Sequence, residues 1–328
     1  VHNTHIKSIK DSRILLSPLN WGLGHVTRTI PIIKTLLAQN NEVIICCDTQ
    51  QEDFYRKYFP QLWYIPFEGY PFKFQGKGNW TFDILRNFSS LFLYLKEEKN
   101  RVNDLVEKFN PDLIISDQRF GFLSRKVKSI IITHQINLPV PKWNFIGKLW
   151  NKSLLSKFDQ IWVPDNQEQG LSGQLSNGLT RKKKYIGPCS RFEQKHPNEV
   201  QEHKYDSLYI ISGPNPYNSH LLELVLKKEE RLKGKSAIIL PETLKIEQLE
   251  SSNLDIYSDL NHDDFSNLIN SSKQVISRAG YSTIMDLIAL KKEAILIPTP
   301  GQVEQIYLSK HHNSNSLWTF MTEDEFID

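Results

Sequence analysis

Two stretches of the chain hold residue types that can do chemistry. In the first, Gly22-Leu23-Gly24-His25 runs on to Arg28. The two glycines strip side chains from the backbone around an imidazole, and the apolar spacing of Ile30, Ile33, Leu36 and Leu37 puts that imidazole at the start of a helix. The positive end of a helix disfavours imidazolium, so His25 is kept neutral and usable as a general base near neutral pH. Arg28 lies one helical turn further along. Its guanidinium can take either an anionic acceptor or a carboxylate that orients the imidazole.

The second stretch runs from Ser277 to Gln305. It reads as a strand through Arg278, a tight turn at Gly280, a helix with Ile284, Leu287 and Ile288 on its apolar face, a strand over Ala294 to Ile297, and a polar loop carrying Gln302, Glu304 and Gln305. A helix N-terminus beside a glycine, at the carboxyl end of a strand, suits a phosphate group. Ser282 and Thr283 add hydroxyl donors, and Asp286, one turn on, can accept from a sugar or ribose hydroxyl. This is the physics of a nucleotide-sugar pocket. Taken alone, Ser282 reads equally well as an N-cap and Gly280 as a plain turn.

The elements around these stretches alternate strand and helix. Apolar runs at Arg13 to Ser17, Asn41 to Cys47, Leu62 to Pro66, Leu113 to Ser116, Ser129 to Thr133 and Ile161 to Pro164 are separated by helical segments, as crossovers between parallel strands require. Asp117, Arg119, His134 and Gln135 follow two of these strand ends, on the rim that holds Gly22 to His25. Gly69 to Trp80 has no periodicity and reads as a long binding loop. The pattern restarts at Ser207 to Ser212, with the loop Gly213-Pro214 after it. The expectation is two doubly wound parallel-sheet domains facing each other across a cleft, residues 1–187 and 188–328, with a hinge near Gly187 and Pro188. The basic run Arg181 to Lys184 reads as a solvated linker or as positive potential at the cleft mouth.

The 328 residues carry a net charge of +3, too little to imply nucleic acid, and 39% are hydrophobic, enough for two cores. No apolar run spans a bilayer and residues 1–13 lack a signal-peptide core, so a cytoplasmic location is expected. Three cysteines make no disulfide framework, and no Cys or His spacing suggests zinc; Cys46 and Cys47 read as buried thiols. Residues 142–158 mix Trp143, Phe145, Leu149 and Trp150 with lysines. Such a segment either packs on its domain or lies on an anionic membrane face.

Together the two motifs resemble the GT-B superfamily of nucleotide-sugar glycosyltransferases, especially glycosyltransferase family 28. Gly22 to His25 is similar to that family's N-terminal Gly-rich histidine loop, and Ser277 to Gln305 to its donor signature. The resemblance implies a GT-B fold of two Rossmann-like domains. The N-terminal one would bind a hydroxyl acceptor, lipid-linked in the best-known member, and the rim residues read above place Gly22, Gly24, Arg28, Asp117, Arg119, His134 and Gln135 where they could meet it. The C-terminal one would hold a nucleotide sugar, UDP-linked, through Gly213, Pro214, Arg278, Gly280, Ser282, Thr283, Asp286, Glu304 and Gln305. His25 would be the base of an inverting transfer. The absence of an Asp-x-Asp at a strand end points to chemistry without a metal or other cofactor.

The sequence departs from the family in several ways. Asp286 stands where the family has Glu, Glu304-Gln305 replaces a Gln pair, and Arg28 replaces a proline. Gly22-x-Gly24-His25-x-x-Arg28 also resembles the nucleotide-sugar hydrolase of the pseudaminic acid pathway, so water remains open as the acceptor. The sequence given ends soon after its last helical pattern, where such enzymes carry a helix that crosses back. A nucleotide-sugar sensor without turnover is the competing class. A dehydrogenase is disfavoured because the first loop lacks Gly-x-Gly-x-x-Gly.

Overall fold

The computed structural model describes residues 4–70, 88–139, 145–167, 170–179, 181–192, 203–229, 234–241, 244 and 253–328. Contacts divide the chain into a first unit that ends at Arg191 and a second that runs from Phe192 to Asp328, so Gly187 and Pro188 fall inside the first unit.

The first unit begins with the single turn α1 (Thr4–Lys7) and continues β1 (Arg13–Pro18), α2 (Leu23–Leu37), β2 (Glu42–Cys47), α3 (Thr49–Arg56), β3 (Trp63–Pro66), α4 (Phe88–Phe109), β4 (Leu113–Asp117), β5 (Lys128–Ile132), α5 (Phe145–Ser156), β6 (Gln160–Val163) and β7 (Lys183–Tyr185). Its sheet has the order β3-β2-β1-β4-β5-β6-β7, with every pair parallel. The central strands are buried on both faces, which is why they read as unbroken apolar runs: Ile14, Leu15, Leu16, Ile114 and Ile115 are all sealed from solvent.

The basic run is not a linker. Lys183 and Lys184 form the edge strand β7, and Lys182 and Lys183 donate to the carbonyls of Ser156, Phe158 and Ser176. Lysines suit an edge because they blunt its tendency to pair with another chain. In α5 and just beyond it, Leu154, Leu155 and Phe158 are buried, the last two in a cluster with Ile131 and Ile161, while Leu149 is exposed. This part of the segment therefore packs on the sheet; residues 142–144 lie outside the described residues.

The second unit runs β8 (Tyr205–Ile210), α6 (Tyr217–Glu229), β9 (Ser236–Leu240), β10 (Leu254–Ser258), α7 (His262–Asn270), β11 (Ser272–Arg278), α8 (Tyr281–Leu290), β12 (Ala294–Ile297), α9 (Val303–His311), β13 (Trp318–Phe320) and α10 (Glu323–Ile327). Its parallel sheet has the order β10-β9-β8-β11-β12-β13. In each unit the strand order reverses beside the first strand, between β1 and β4 and between β8 and β11. Such switch points are where ligands bind in open parallel sheets. No helix among the described residues is long and apolar enough to cross a membrane.

Candidate active site

The switch point of the first unit brings His25, Arg28 and Asp117 together. Gly22 is the N-cap of α2, with φ 115° and ψ 163°, a backbone conformation that side chains disfavour. Gly24 and His25 fall in the first helical turn after it, as the spacing predicted. Two bonds hold the loop before that turn, one to β4 and one to α3. The Leu19 amide donates to the Asp117 carbonyl at 2.9 Å, and Gln51, part of the capping box that starts α3, donates from its side chain to the Leu19 carbonyl at 3.0 Å. Farther along the chain, Gly69 approaches Asn20 so closely that a Cβ there would lie 2.0 Å from the Asn20 Cγ, so a larger residue would have to displace the Asn20 side chain. The rest of the expected loop, residues 71–80, lies outside the described residues.

Asp117 is the last residue of β4, and Gln118 turns the chain sharply with φ 60°. The Asp117 side chain is fully buried. Its two oxygens accept from Arg28 Nε at 2.9 and 3.0 Å, and Arg28 Nη2 also donates to Oδ1. His25 Nδ1 stands 3.0 Å from Asp117 Oδ2 and 2.9 Å from Arg28 Nη2. Burial alone would raise the Asp117 carboxyl, but the Arg28 guanidinium and His25 beside it outweigh burial and hold it below the usual carboxylate range. An ionised carboxylate at Nδ1 favours the tautomer that carries its proton there, which leaves the lone pair on Nε2. The same carboxylate stabilises the imidazolium that forms when Nε2 takes a proton.

Three residues expected at the acceptor are engaged within the protein. Asp117 and Arg28 were expected to meet the acceptor, but with 0% and 3% of their side chains exposed they meet each other. Of the two partners open to Arg28, the structure selects the orienting carboxylate. Arg119 is also turned inward. It donates to Glu98 at 2.6 Å, to the Glu68 carbonyl at 2.8 Å and to the Tyr94 hydroxyl at 2.9 Å. Burial raises the Glu98 carboxyl, and the Arg119 charge only partly offsets it. Glu98 was missed, although it falls one turn before the buried Val102 on the apolar face of α4, a position that marks a buried carboxylate. His134 and Gln135 follow β5; His134 is 3% exposed, and the Gln135 carbonyl accepts from Asn151.

In the second unit, Gly213 has φ 99° in the loop after β8, and the Pro214 carbonyl accepts from the Asn218 amide at the start of α6. Gly280 is the N-cap of α8 and lies in the two-residue turn from β11 into that helix, but its φ of −72° is open to any residue, so the turn does not require glycine there. Ser282, Thr283 and Asp286 share a half-exposed face of α8. Arg278 ends β11 almost completely buried. Its Nη2 donates to the Tyr217 carbonyl at 3.1 Å and pairs with Glu323 of α10 at 2.8 Å, where a diphosphate contact was expected. Burial lowers the Arg278 pKa and Glu323 opposes that shift. Gln305 is likewise occupied, its side-chain oxygen accepting from the Thr299 amide at 2.7 Å, while Glu304 beside it is half-exposed. A cavity of about 410 Å³ is lined by Pro216, Tyr217, His220, Pro300 and Glu323 among others.

The fold and these two switch points define a GT-B architecture, and solved structures of that class match nearly the whole chain. Arabidopsis thaliana UGT89C1 superposes with a TM-score of 0.66 at 11% identity, covering 97% of this chain and 87% of that one. Spinosyn forosaminyltransferase SpnP gives a TM-score of 0.63 at 14% identity, covering 96% and 88%. Residues 217–313 match the glycosyltransferase family 28 C-terminal domain. An uncharacterized glycosyltransferase of Methanosarcina mazei is 24% identical over 320 residues, 89% of this chain and 81% of that protein. The fold is thus that of the GT-B glycosyltransferases, and much of the second unit is similar to the family 28 C-terminal domain.

Proposed function

We propose that the protein transfers a sugar from a UDP-linked donor to a hydroxyl acceptor with inversion, and that His25 is the general base. The observation that carries this reading is the 3.0 Å contact between His25 Nδ1 and the buried, ionised Asp117. His25 itself retains 19% side-chain exposure, so a substrate hydroxyl can reach the ring while the carboxylate stays dry. Nε2 takes the acceptor proton, the acceptor oxygen bonds to the anomeric carbon, and the bond to the nucleoside diphosphate breaks. The leaving diphosphate is received by the first turn of α8 at Gly280, with hydroxyls from Ser282 and Thr283 and a ribose contact at Asp286. No divalent ion is required in this scheme. Among structures of similar fold, spinosyn rhamnosyltransferase SpnG has been solved with thymidine diphosphate and UGT89C1 with UDP-L-rhamnose, which supports a nucleotide-sugar ligand here. A lipid-linked acceptor would add retention on anionic vesicles at low salt.

The test is turnover of a panel of UDP-sugars by wild type and His25→Ala, with calorimetric binding of UDP to both. His25→Ala should keep UDP binding and lose about 100- to 10,000-fold in turnover. Undiminished turnover by that variant removes His25 as base. Release of free sugar without any acceptor would assign hydrolysis in place of transfer.

A further inference from the structure

His25 Nδ1 faces two opposite charges at once. Asp117 Oδ2 lies 3.0 Å away and Arg28 Nη2 lies 2.9 Å away. One ring nitrogen cannot serve both. If Nδ1 carries a proton it donates to Asp117 and meets a guanidinium N–H head-on; if it does not, it accepts from Arg28 and the proton sits on Nε2, where it would block a base. The arrangement therefore does more than an isolated carboxylate and imidazole would. Other ionisable groups packed around the pair are Tyr55, whose hydroxyl meets Thr29, and Cys189. Burial pushes the Tyr55 hydroxyl up and the Cys189 thiol up to about 12, so both are neutral, while the charged groups at His25 Nδ1 are Asp117 and Arg28.

We propose that Arg28 is a positioning residue that sets the pH range in which His25 works. Its fork holds the Asp117 carboxylate in the plane that meets Nδ1, and its positive charge opposes the build-up of imidazolium that Asp117 alone would favour. His25 is thereby able to take a proton from an acceptor and to give it up again near neutral pH. Arg28 touches no substrate in this scheme; with 3% of its side chain exposed it acts wholly through the two neighbours. This rests on the reading of His25 as the base, but its test does not.

The experiment is an NMR titration of the His25 ring nitrogens in the intact protein, alongside the pH dependence of kcat/KM. Arg28→Gln removes the opposing charge. The pH at which His25 takes its proton, and the acid limb of the rate profile with it, should move up by about one unit or more. Arg28→Lys, which restores the charge without the fork, should bring back most of that shift. If Arg28→Gln does not fold, Asp117→Asn is compared with the double variant Arg28→Gln/Asp117→Asn. The single variant leaves the guanidinium unopposed at Nδ1, so His25 should take its proton at a distinctly higher pH in the double variant. Equal midpoints in either comparison overturn the proposal. If His25→Ala keeps its turnover, the base reading fails while the ring-nitrogen titration still reports on Arg28.

Discussion

The two units solve the same local problem with opposite charge. In each, the strand beside the first strand ends in a buried serine followed by a buried ionised residue, Ser116-Asp117 in β4 and Ser277-Arg278 in β11. In each, the helix after the first strand carries a histidine close to its start, His25 in α2 and His220 in α6. In the first unit the buried charge is negative and touches the histidine directly. In the second it is positive and reaches His220 only through Glu323, which lies 3.2 Å from the His220 Nε2. A buried anion favours an imidazole that gains a proton, whereas a buried cation favours negative charge nearby. One scaffold thus sets a buried carboxylate beside a histidine at one switch point and a buried guanidinium, paired with a carboxylate, at the other.

Removing the carboxylate from each pair should break this parallel. In Asp117→Asn the Arg28 guanidinium stays buried without its counter-charge, and urea unfolding should show a loss of about 3–5 kcal/mol. In Glu323→Gln the loss should be only about 1–2 kcal/mol, because Glu323 is 14% exposed, water can reach the site, and Arg278 keeps the Tyr217 carbonyl. Equal losses would show that exposure does not separate the two pairs.

A comparison within the first unit sharpens the same point, because the carboxyls of two buried arginine–carboxylate pairs among the described residues are shifted in opposite directions. The Asp117 carboxyl is held below the ordinary value, so the stability it contributes is present above the unfolded value near 3.9 and is lost as pH falls through the lower folded value. The Glu98 carboxyl is raised, so its native state binds the proton more readily, and the corresponding stability is present below about 4.3 and lost as pH rises through the folded value. Unfolding of wild type, Asp117→Asn and Glu98→Gln across pH 3 to 7 should give opposite slopes. The advantage of wild type over Asp117→Asn grows with pH, and its advantage over Glu98→Gln shrinks. Parallel slopes would mean that burial and pairing are balanced alike in both pairs.

These contrasts also mark what could be read in the sequence. The strands buried on both faces are unbroken apolar runs, so both parallel sheets are legible, as is His25 in the first turn of its helix behind Gly22. Short edge strands are not: β7 is Lys183-Lys184-Tyr185 and β13 is Trp318-Thr319-Phe320, each too brief to show a period. The identities of the charged residues were legible but their partners were not. Asp117 and Arg28 are separated by 89 positions and Arg278 and Glu323 by 45, and only the folded sheet decides whether such groups face a ligand or each other. Thr322-x-x-Glu325 announces the start of α10 by its capping box, yet nothing local says that Glu323 will lie over Arg278.

The smallest expected effect separates the glycines at the two switch points. Gly22 adopts φ 115° with nothing within 4 Å of a built Cβ, so Gly22→Ala meets backbone strain alone and should cost about 1–3 kcal/mol. Gly280 adopts φ −72°, and its added Cβ would sit 3.7 Å from Thr283 Oγ1, an ordinary contact. Gly280→Ala should therefore change unfolding by less than about 1 kcal/mol, and its reduced chain entropy in the unfolded state can even stabilise the protein. If that variant keeps its stability but loses affinity for UDP in calorimetry, the glycine serves approach to the ligand and not the turn. Unchanged affinity would take Gly280 out of the donor site and leave the α8 terminus without a bound diphosphate.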